Sequence, residues 1–297
     1  MALWLARQES VTVIFTGQRQ SMYQAFYGLK ENPFSIQPDP DFLYFGRRHS
    51  YAYAMMEFGI RNRVGFMVIS GEIGCGKTTL VRHLLNNLAP EHTVGLVYNT
   101  HREIANLLQW IMLSFGLVYE GQSNVALFDE FQQFLIKQYG SGKSVLLIID
   151  EAHNLNPDAL ESLRMLSNIN ADKNQLLQIM LVGQPQLKDL LLKPELLQFS
   201  QRVEVDFHIK PFEAADVQGY IQHRLKVAGR ETPLFTADAC ARIAEASQGT
   251  PRRINILCNT ALVYGFAAES ALIDLALVEE MLNDKAEFGA LSNMDNA

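Results

Sequence analysis

Several things are scarce in this chain of 297 residues, and each scarcity removes a class of function. No apolar run reaches the roughly 18–20 residues that a membrane-spanning helix needs. The first segment, MALWLARQESVTVIF, is interrupted by Arg7, Gln8 and Glu9 and lacks the charged start, apolar middle and small-residue cleavage site of a secretory leader. Cysteine is limited to Cys75, Cys240 and Cys258, with no CxxC pair, so neither a zinc knuckle nor a disulfide framework is encoded. A reducing, cytoplasmic compartment is the matching expectation. Positive charge is also short: the formal net charge is −7, which argues against a surface coated for nonspecific nucleic-acid binding. Arg47, Arg48, Arg61 and Arg63 form the clearest basic clusters, and no interleaving of arginine with aromatics is visible along the chain. No internal repeat or low-complexity stretch occurs.

What is present is the material of a globular α/β protein, with 48% hydrophobic and 19% charged residues. Residues 64–70, 93–99, 144–150 and 176–182 are nearly continuous apolar runs, as strands buried on both faces read. Residues 201–209 alternate and suit an edge strand. Between them lie stripes at helical spacing, among them Leu80, Val81, Leu84, Leu85 and Leu88, and then Leu160, Leu163, Leu166 and Ile169. Asn156 followed by Pro157 reads as a cap and first position for the second of these helices. Alternation of strand and helix predicts a parallel sheet covered on both faces. After residue 211 the strand signal fades. Four helical stretches follow, with stops at Gly229 and Gly249 and a cap at Thr236, and the final residues look frayed.

The chemistry begins at Gly71-Glu72-Ile73-Gly74-Cys75-Gly76-Lys77-Thr78, which fits G-x-x-x-x-G-K-[ST] without departure. Thr79 follows. A buried strand precedes the loop and an amphipathic helix follows it, so backbone N–H groups and a helix N-terminus can converge on phosphate. Lys77 is expected on the β- and γ-phosphates of ATP, and Thr78 on Mg2+. Asp150 ends a buried strand, where a metal-binding carboxylate is needed, and the adjacent Glu151 is the candidate general base. Gln184 ends the next strand and is a candidate to hold the attacking water, the alternative being an ordinary turn. Arg202 opens the fifth strand. It is a candidate finger for a neighbouring subunit's γ-phosphate, the alternative being a surface arginine. Arg252 and Arg253 stand at a helix start, where the dipole disfavours cations, so an anion would explain them. Cys75 needs only to be small. The side reading is that a thiol beside Lys77 and a helix N-terminus has a lowered pKa and is sensitive to oxidants or alkylating reagents.

Phosphate loop, Asp-Glu strand end, polar residue, arginine and helical lid, in this order, resemble an AAA+ ATPase. The segment MYQAFYGLKENPFSIQPDPDFLYFGRRHSYAYAMMEFGI (22–60), with IIDEAHNL, LVGQPQL and GTPRRIN, resembles ATPases of the general secretion pathway A (ExeA-like) type over residues 22–285. That resemblance implies a five-stranded parallel P-loop sheet flanked by helices, followed by an all-helical lid. The implied domains are a core over 22–210, a lid over 211–285 and a flexible tail over 286–297. Residues 1–21 precede the usual family start at Met22 and are expected to be an extension. Gln184 matches the first sensor, Arg202 the finger, and Arg252 or Arg253 the second sensor. The segment Tyr44-Phe45-Gly46, with His49, falls where relatives line the adenine pocket. The secretion ATPases usually continue into a membrane span and a peptidoglycan-binding region, whereas this chain stops after the lid, as short soluble relatives do.

The functional expectation is an ATPase that forms a ring or helical homo-oligomer, with its finger acting in trans, and assembles or regulates a secretion, pilus or polysaccharide-export machine. It is expected in the cytoplasm, or peripherally at the inner membrane, with a protein of that machine as partner. The alternative is a DNA-bound regulator of transposition, of the TnsC and MuB kind. A pure ATP-binding switch is disfavoured by Glu151.

Overall fold

The computed structural model describes residues 22–98, 107–171 and 174–288. Five apolar runs form one parallel sheet: β1 (Phe66–Gly71), β2 (His92–Val97), β3 (Ser144–Ile149), β4 (Leu177–Gly183) and β5 (Val203–Ile209). Their spatial order is β2-β3-β4-β1-β5. Because β4 lies between β1 and β3, the C-terminal ends of these three strands stand side by side. Crevices beyond the carboxyl ends of such strands are where open α/β sheets bind ligands.

Strands β1 and β4 are buried throughout, as their unbroken hydrophobicity predicts. Strand β2 differs from its sequence reading. It is the outer strand next to β3 and most of its residues are only half-buried. Edge position, not composition, sets its exposure. Strand β5 is the opposite edge, as its alternation predicts.

On one face, α2 (Arg47–Arg61) and α3 (Lys77–Asn87) cover the sheet with Ala52, Met56, Ile60, Leu80, Val81 and Leu84. Buried Gln178 of β4 fastens α2 to the sheet. Its Nε2 lies within hydrogen-bonding distance of the carbonyls of Gly59 (3.1 Å), Ile60 (3.3 Å) and Val64 (3.3 Å), at and just beyond the C-terminal end of α2. On the other face lie α4 (Leu107–Ser114), α5 (Asn124–Gly140), α6 (Pro157–Leu166), α7 (Gln186–Leu191) and α8 (Leu197–Ser200). Helix α6 starts where its signals predict: the Asn156 side chain accepts from the Ala159 N–H, and Leu160, Leu163 and Leu166 point inward. A short antiparallel pairing joins Asn170–Ala171 to Asn174–Gln175. The sequence carried no alternating pattern long enough to announce it.

The lid comprises α9 (Ala214–Val227), α10 (Ala237–Ser247), α11 (Pro251–Ala267) and α12 (Leu275–Phe288). Thr236 caps α10 by accepting from the Ala239 N–H. Helix α12 runs to Phe288, into the span expected as a flexible tail. Residues 1–21 and 289–297 lie outside the described residues.

The start of the chain departs from its expected assignment. Residues 22–42, read as part of the α/β core, begin with α1 (Met22–Tyr27) and bury Tyr23, Tyr27, Leu29, Phe34 and Phe42 among the lid helices. Tyr23 Oη donates to Asn259 Oδ1 (2.7 Å), and Arg230 Nη1 donates to the Tyr27 carbonyl (2.6 Å). Farther along, Arg82 of α3 donates to the Pro38 carbonyl (2.9 Å). The segment therefore straps the lid to the core. Aromatic burial explains the choice: five large apolar side chains leave water together only where the lid offers a matching core.

Candidate functional site

A cleft opens between the C-terminal ends of β1, β3 and β4, the lid and the strap. It is lined by Ile73, Gly74, Gly76, Lys77, Thr78 and Thr79 from the loop and α3, and by Glu151, Gln184 and Arg252 around them. Gly74 (φ +80°) and Gly76 (φ +89°) occupy the left-handed region that other residues enter only with strain. Gly71 is required by proximity, since a Cβ there would stand 2.7 Å from the Ile209 carbonyl oxygen. Helix α3 begins immediately after Gly76 with no side chain capping it, so its N-terminal amides are available to an anion.

Lys77 is buried, and its Nζ donates to the carbonyls of Gly71 (2.7 Å) and Glu72 (2.9 Å). Burial pulls the ammonium pKa below the usual lysine range, against the upward pull of neighbouring groups that include Glu151 and Asp150. A basic group so placed gains from an incoming polyphosphate. Thr78 Oγ1 donates to Asp150 Oδ2 at 2.9 Å, and Asp150 Oδ1 accepts the Glu151 N–H at 2.9 Å. Asp150 is 3% exposed, and burial raises its pKa. One hydroxyl and one carboxylate side by side suit Mg2+, which keeps waters and phosphate oxygens as its other ligands. Among the described residues, no cluster of three or more His, Cys, Asp or Glu side chains forms an all-protein metal cage.

Glu151 adopts a left-handed backbone (φ +54°), unusual for a residue with a side chain. Its Oε2 lies 3.4 Å from Gln184 Nε2 and 3.4 Å from His153 Nδ1. His153 belongs to a single 3-10 turn, Ala152–Asn154, held close to the end of β4. A Cβ on Gly183 would stand 3.2 Å from the His153 backbone nitrogen.

The lid closes on the loop through Arg252, whose N–H donates to the Gly74 carbonyl (3.2 Å). Arg252 and Arg253 diverge. Arg252 lines the cleft, whereas Arg253 turns outward and donates to Gln248 Oε1 (3.4 Å). Adjacent helical residues point about 100° apart, so one of the pair is excluded. Arg202 lies outside the cleft, donating from Nη1 to Ser167 Oγ (3.1 Å) and Asn168 Oδ1 (2.6 Å) at the end of α6.

Phe45 is a correction. Its ring stacks edge-on against Tyr53 and His83 and is 41% exposed, away from the cleft. Its neighbour Tyr44 lines the cleft instead, with His49. Buried His49 contacts the phosphate loop directly, its Nε2 lying 2.8 Å from the Cys75 carbonyl oxygen. For Cys75 the plainer of the two readings, a small residue in the loop, fits the structure. Its thiol is fully buried, and desolvation, opposed by Lys77, pushes it up to about 11. The loop's positive surroundings do not produce a reactive thiolate.

The other end of the cleft was not visible in the motifs. It is formed by Ser35, Ile36, Gln37 and Pro38 of the strap facing Tyr220, Arg224 and Asn255 of the lid. Buried Arg224 donates to the Pro33 and Ser35 carbonyls and lies 4.5 Å over the Phe42 ring. Asn255 Nδ2 also donates to Ser35 O (3.1 Å), while its Oδ1 accepts the Tyr220 hydroxyl (2.8 Å).

Comparison with known proteins matches residues 60–191 to a family described as "AAA domain". General secretion pathway protein A of Aeromonas hydrophila is 39% identical over 250 residues, covering 84% of this chain and 46% of that protein. The chain thus spans about half the length of that relative. Among solved structures, the Aeropyrum pernix ORC2 protein superposes with a TM-score of 0.65 at 16% identity, covering 86% of this chain and 72% of that one. Drosophila ORC bound to DNA gives 0.64 at 16% identity, covering 98% and 73%. At such identities the structural likeness is one of fold.

Proposed function

We propose that the chain is an AAA+ ATPase, related to general secretion pathway protein A, that binds ATP with Mg2+ and hydrolyses it. The observation that carries this reading is the contact of Thr78 with Asp150, with Lys77 and Glu151 in the same cleft. The glycine loop and the start of α3 bind the phosphates through backbone amides. Lys77 exchanges its two carbonyl partners for β- and γ-phosphate oxygens. Thr78 and Asp150 would hold Mg2+, which would supply charge neutralisation for the phosphates. Glu151 takes a proton from the attacking water, and Gln184 orients that water from the end of β4. Arg252 reaches the phosphates from the lid. Strap and lid enclose the nucleoside. ATPase assays test this: Glu151→Gln should bind ATP and not turn it over, and wild-type turnover in that variant would overturn the assignment.

The biological setting we propose is assembly or regulation of an envelope secretion, pilus or polysaccharide-export system. The support is the relationship to general secretion pathway protein A. The protein works as a ring or helical homo-oligomer in the cytoplasm or peripherally at the inner membrane. None of the described helices is long and apolar enough to cross a membrane. Arg202, outside its own cleft, serves a neighbour's γ-phosphate. Mixing Arg202→Ala with Glu151→Gln subunits should restore some turnover, and no recovery would leave Arg202 a structural residue.

One observation favours a DNA-bound regulator instead. Helix α2 brings Arg47, Tyr51, Phe58 and Arg61 onto one exposed face, an interleaving that the linear sequence concealed. ATP-dependent, salt-sensitive binding of duplex DNA near physiological ionic strength would move the assignment to that class.

A further inference from the structure

The carbonyls of the phosphate loop are held from three directions. Lys77 Nζ donates to those of Gly71 and Glu72, and the Arg252 N–H of the lid donates to that of Gly74. The Cys75 carbonyl is met by His49 Nε2 at 2.8 Å, from the first turn of α2 and 26 positions away in the chain. We propose that His49 is a positioning residue for the phosphate loop, fixing the Cys75–Gly76 peptide so that the Gly76 N–H faces the phosphates of the bound nucleotide. This rests on the reading of the loop as the ATP site.

The peptide bond is planar and trans, so its C=O and N–H point in opposite directions. Anchoring the Cys75 carbonyl on His49 therefore turns the Gly76 N–H away from the imidazole, beside the uncapped amides that open α3. Gly76 itself lines the cleft. Its own backbone does not hold that orientation. With φ +89° it is a glycine, which occupies positive and negative φ with similar ease, so the peptide can turn over unless its carbonyl is anchored. Lys77 cannot serve as that anchor, because it bonds other carbonyls and leaves them for phosphate oxygens.

The state of the ring follows from its partner. A carbonyl oxygen only accepts, so Nε2 carries a proton. Burial lowers the imidazole pKa, against the upward pull of the Cys75 carbonyl and of Asp216, so the ring is neutral near neutral pH and its one N–H is at Nε2. Nδ1 is then a bare acceptor, buried and without a hydrogen-bond partner among the described residues. The ring also packs on Phe212, with centroids 4.7 Å apart. Packing alone would be served better by an apolar ring, which strands no polar atom. What histidine adds over phenylalanine here is the Nε2 donor, and that donor goes to the loop.

The test compares wild type, His49→Phe and His49→Gln by calorimetric titration with MgATP and MgADP, by steady-state kcat and KM, and by melting without nucleotide. Phenylalanine keeps a ring against Phe212 and donates nothing. Glutamine places an amide donor near the position of Nε2. His49→Phe should weaken MgATP and MgADP alike by about tenfold or more, as expected when a hydrogen bond to a charged group is misaligned. KM should rise in step while kcat at saturation stays within about threefold, because an amide on phosphate serves ground and transition states alike. Melting without nucleotide should shift by less than about 4 °C. His49→Gln should return both affinities to within about threefold of wild type. Unchanged affinity in His49→Phe, or a loss that His49→Gln does not rescue, overturns the proposal. So does a loss confined to kcat, or a larger fall in melting that tracks the loss of affinity, which would make His49 a packing residue. Lys77→Ala is titrated in parallel. If it loses MgATP while His49→Phe binds as wild type does, only the role of His49 fails. If Lys77→Ala also binds MgATP as wild type does, the reading of the loop fails with it.

Discussion

The two ends of the cleft are built by opposite strategies. The phosphate end is local. Gly71 to Thr78 are consecutive, and the loop's own carbonyls hold Lys77. Its long-range contacts, such as Thr78 with Asp150, run along strand ends that the sheet makes neighbours. The opposite end, proposed to take the nucleoside, is assembled from residues far apart, as Arg224 is from Pro33, 191 positions away. It depends on aromatic packing and on side chains bonded to strap carbonyls. Backbone amides and paired charges need fixed spacing, so they leave a motif. A shaped apolar pocket can be lined in many ways and leaves none.

This contrast can be broken from either side. The largest effect is expected at the phosphate end. Glu151→Gln should cut turnover by about 100-fold or more while ATP binding persists, as measured by steady-state phosphate release and by equilibrium binding. Arg224→Ala should act in the opposite sense. Removing its hydrogen bonds to Pro33 and Ser35 and its contact with Phe42 should cost about 2–4 kcal/mol in chemical denaturation. KM for ATP should rise, with a smaller change in kcat. Gly249→Ala probes the joint between the two halves. The residue has φ +69°, and a Cβ would stand 2.0 Å from the Phe212 carbonyl oxygen, so a loss of about 2 kcal/mol should appear in thermal melts. The smallest effect sharpens the picture of the loop itself. With its thiol buried and pushed up to about 11, Cys75 should resist alkylation at neutral pH with or without ATP, as read by intact mass.

Much of the core could be read from the chain alone. The runs that became β1, β3 and β4 are apolar because both faces of the sheet are covered there. Asn156 and Thr236 cap because their side chains satisfy helix amides regardless of tertiary context. The failures share a physical cause. Phe45 and Tyr44 are neighbours of similar type, and only packing decides which turns to the cleft. Arg252 and Arg253 differ only in angle around α11. Strand β2 looks as apolar as a central strand, but its rank in the sheet is set by topology. Tyr23 to Phe42 announce that they must be buried and do not say against what.

That last segment bears on how the chain is made. The strap is synthesised before the lid, and Arg224, which bonds its carbonyls, emerges 191 residues after Pro33. At about 5–20 residues per second, the ribosome delivers that partner roughly 10–40 s later. During this interval Tyr23, Tyr27, Leu29, Phe34 and Phe42 leave the exit tunnel without the helices that bury them. The α/β sheet can close while the strap aromatics are still searching, so a segment made before the sheet is completed only after it.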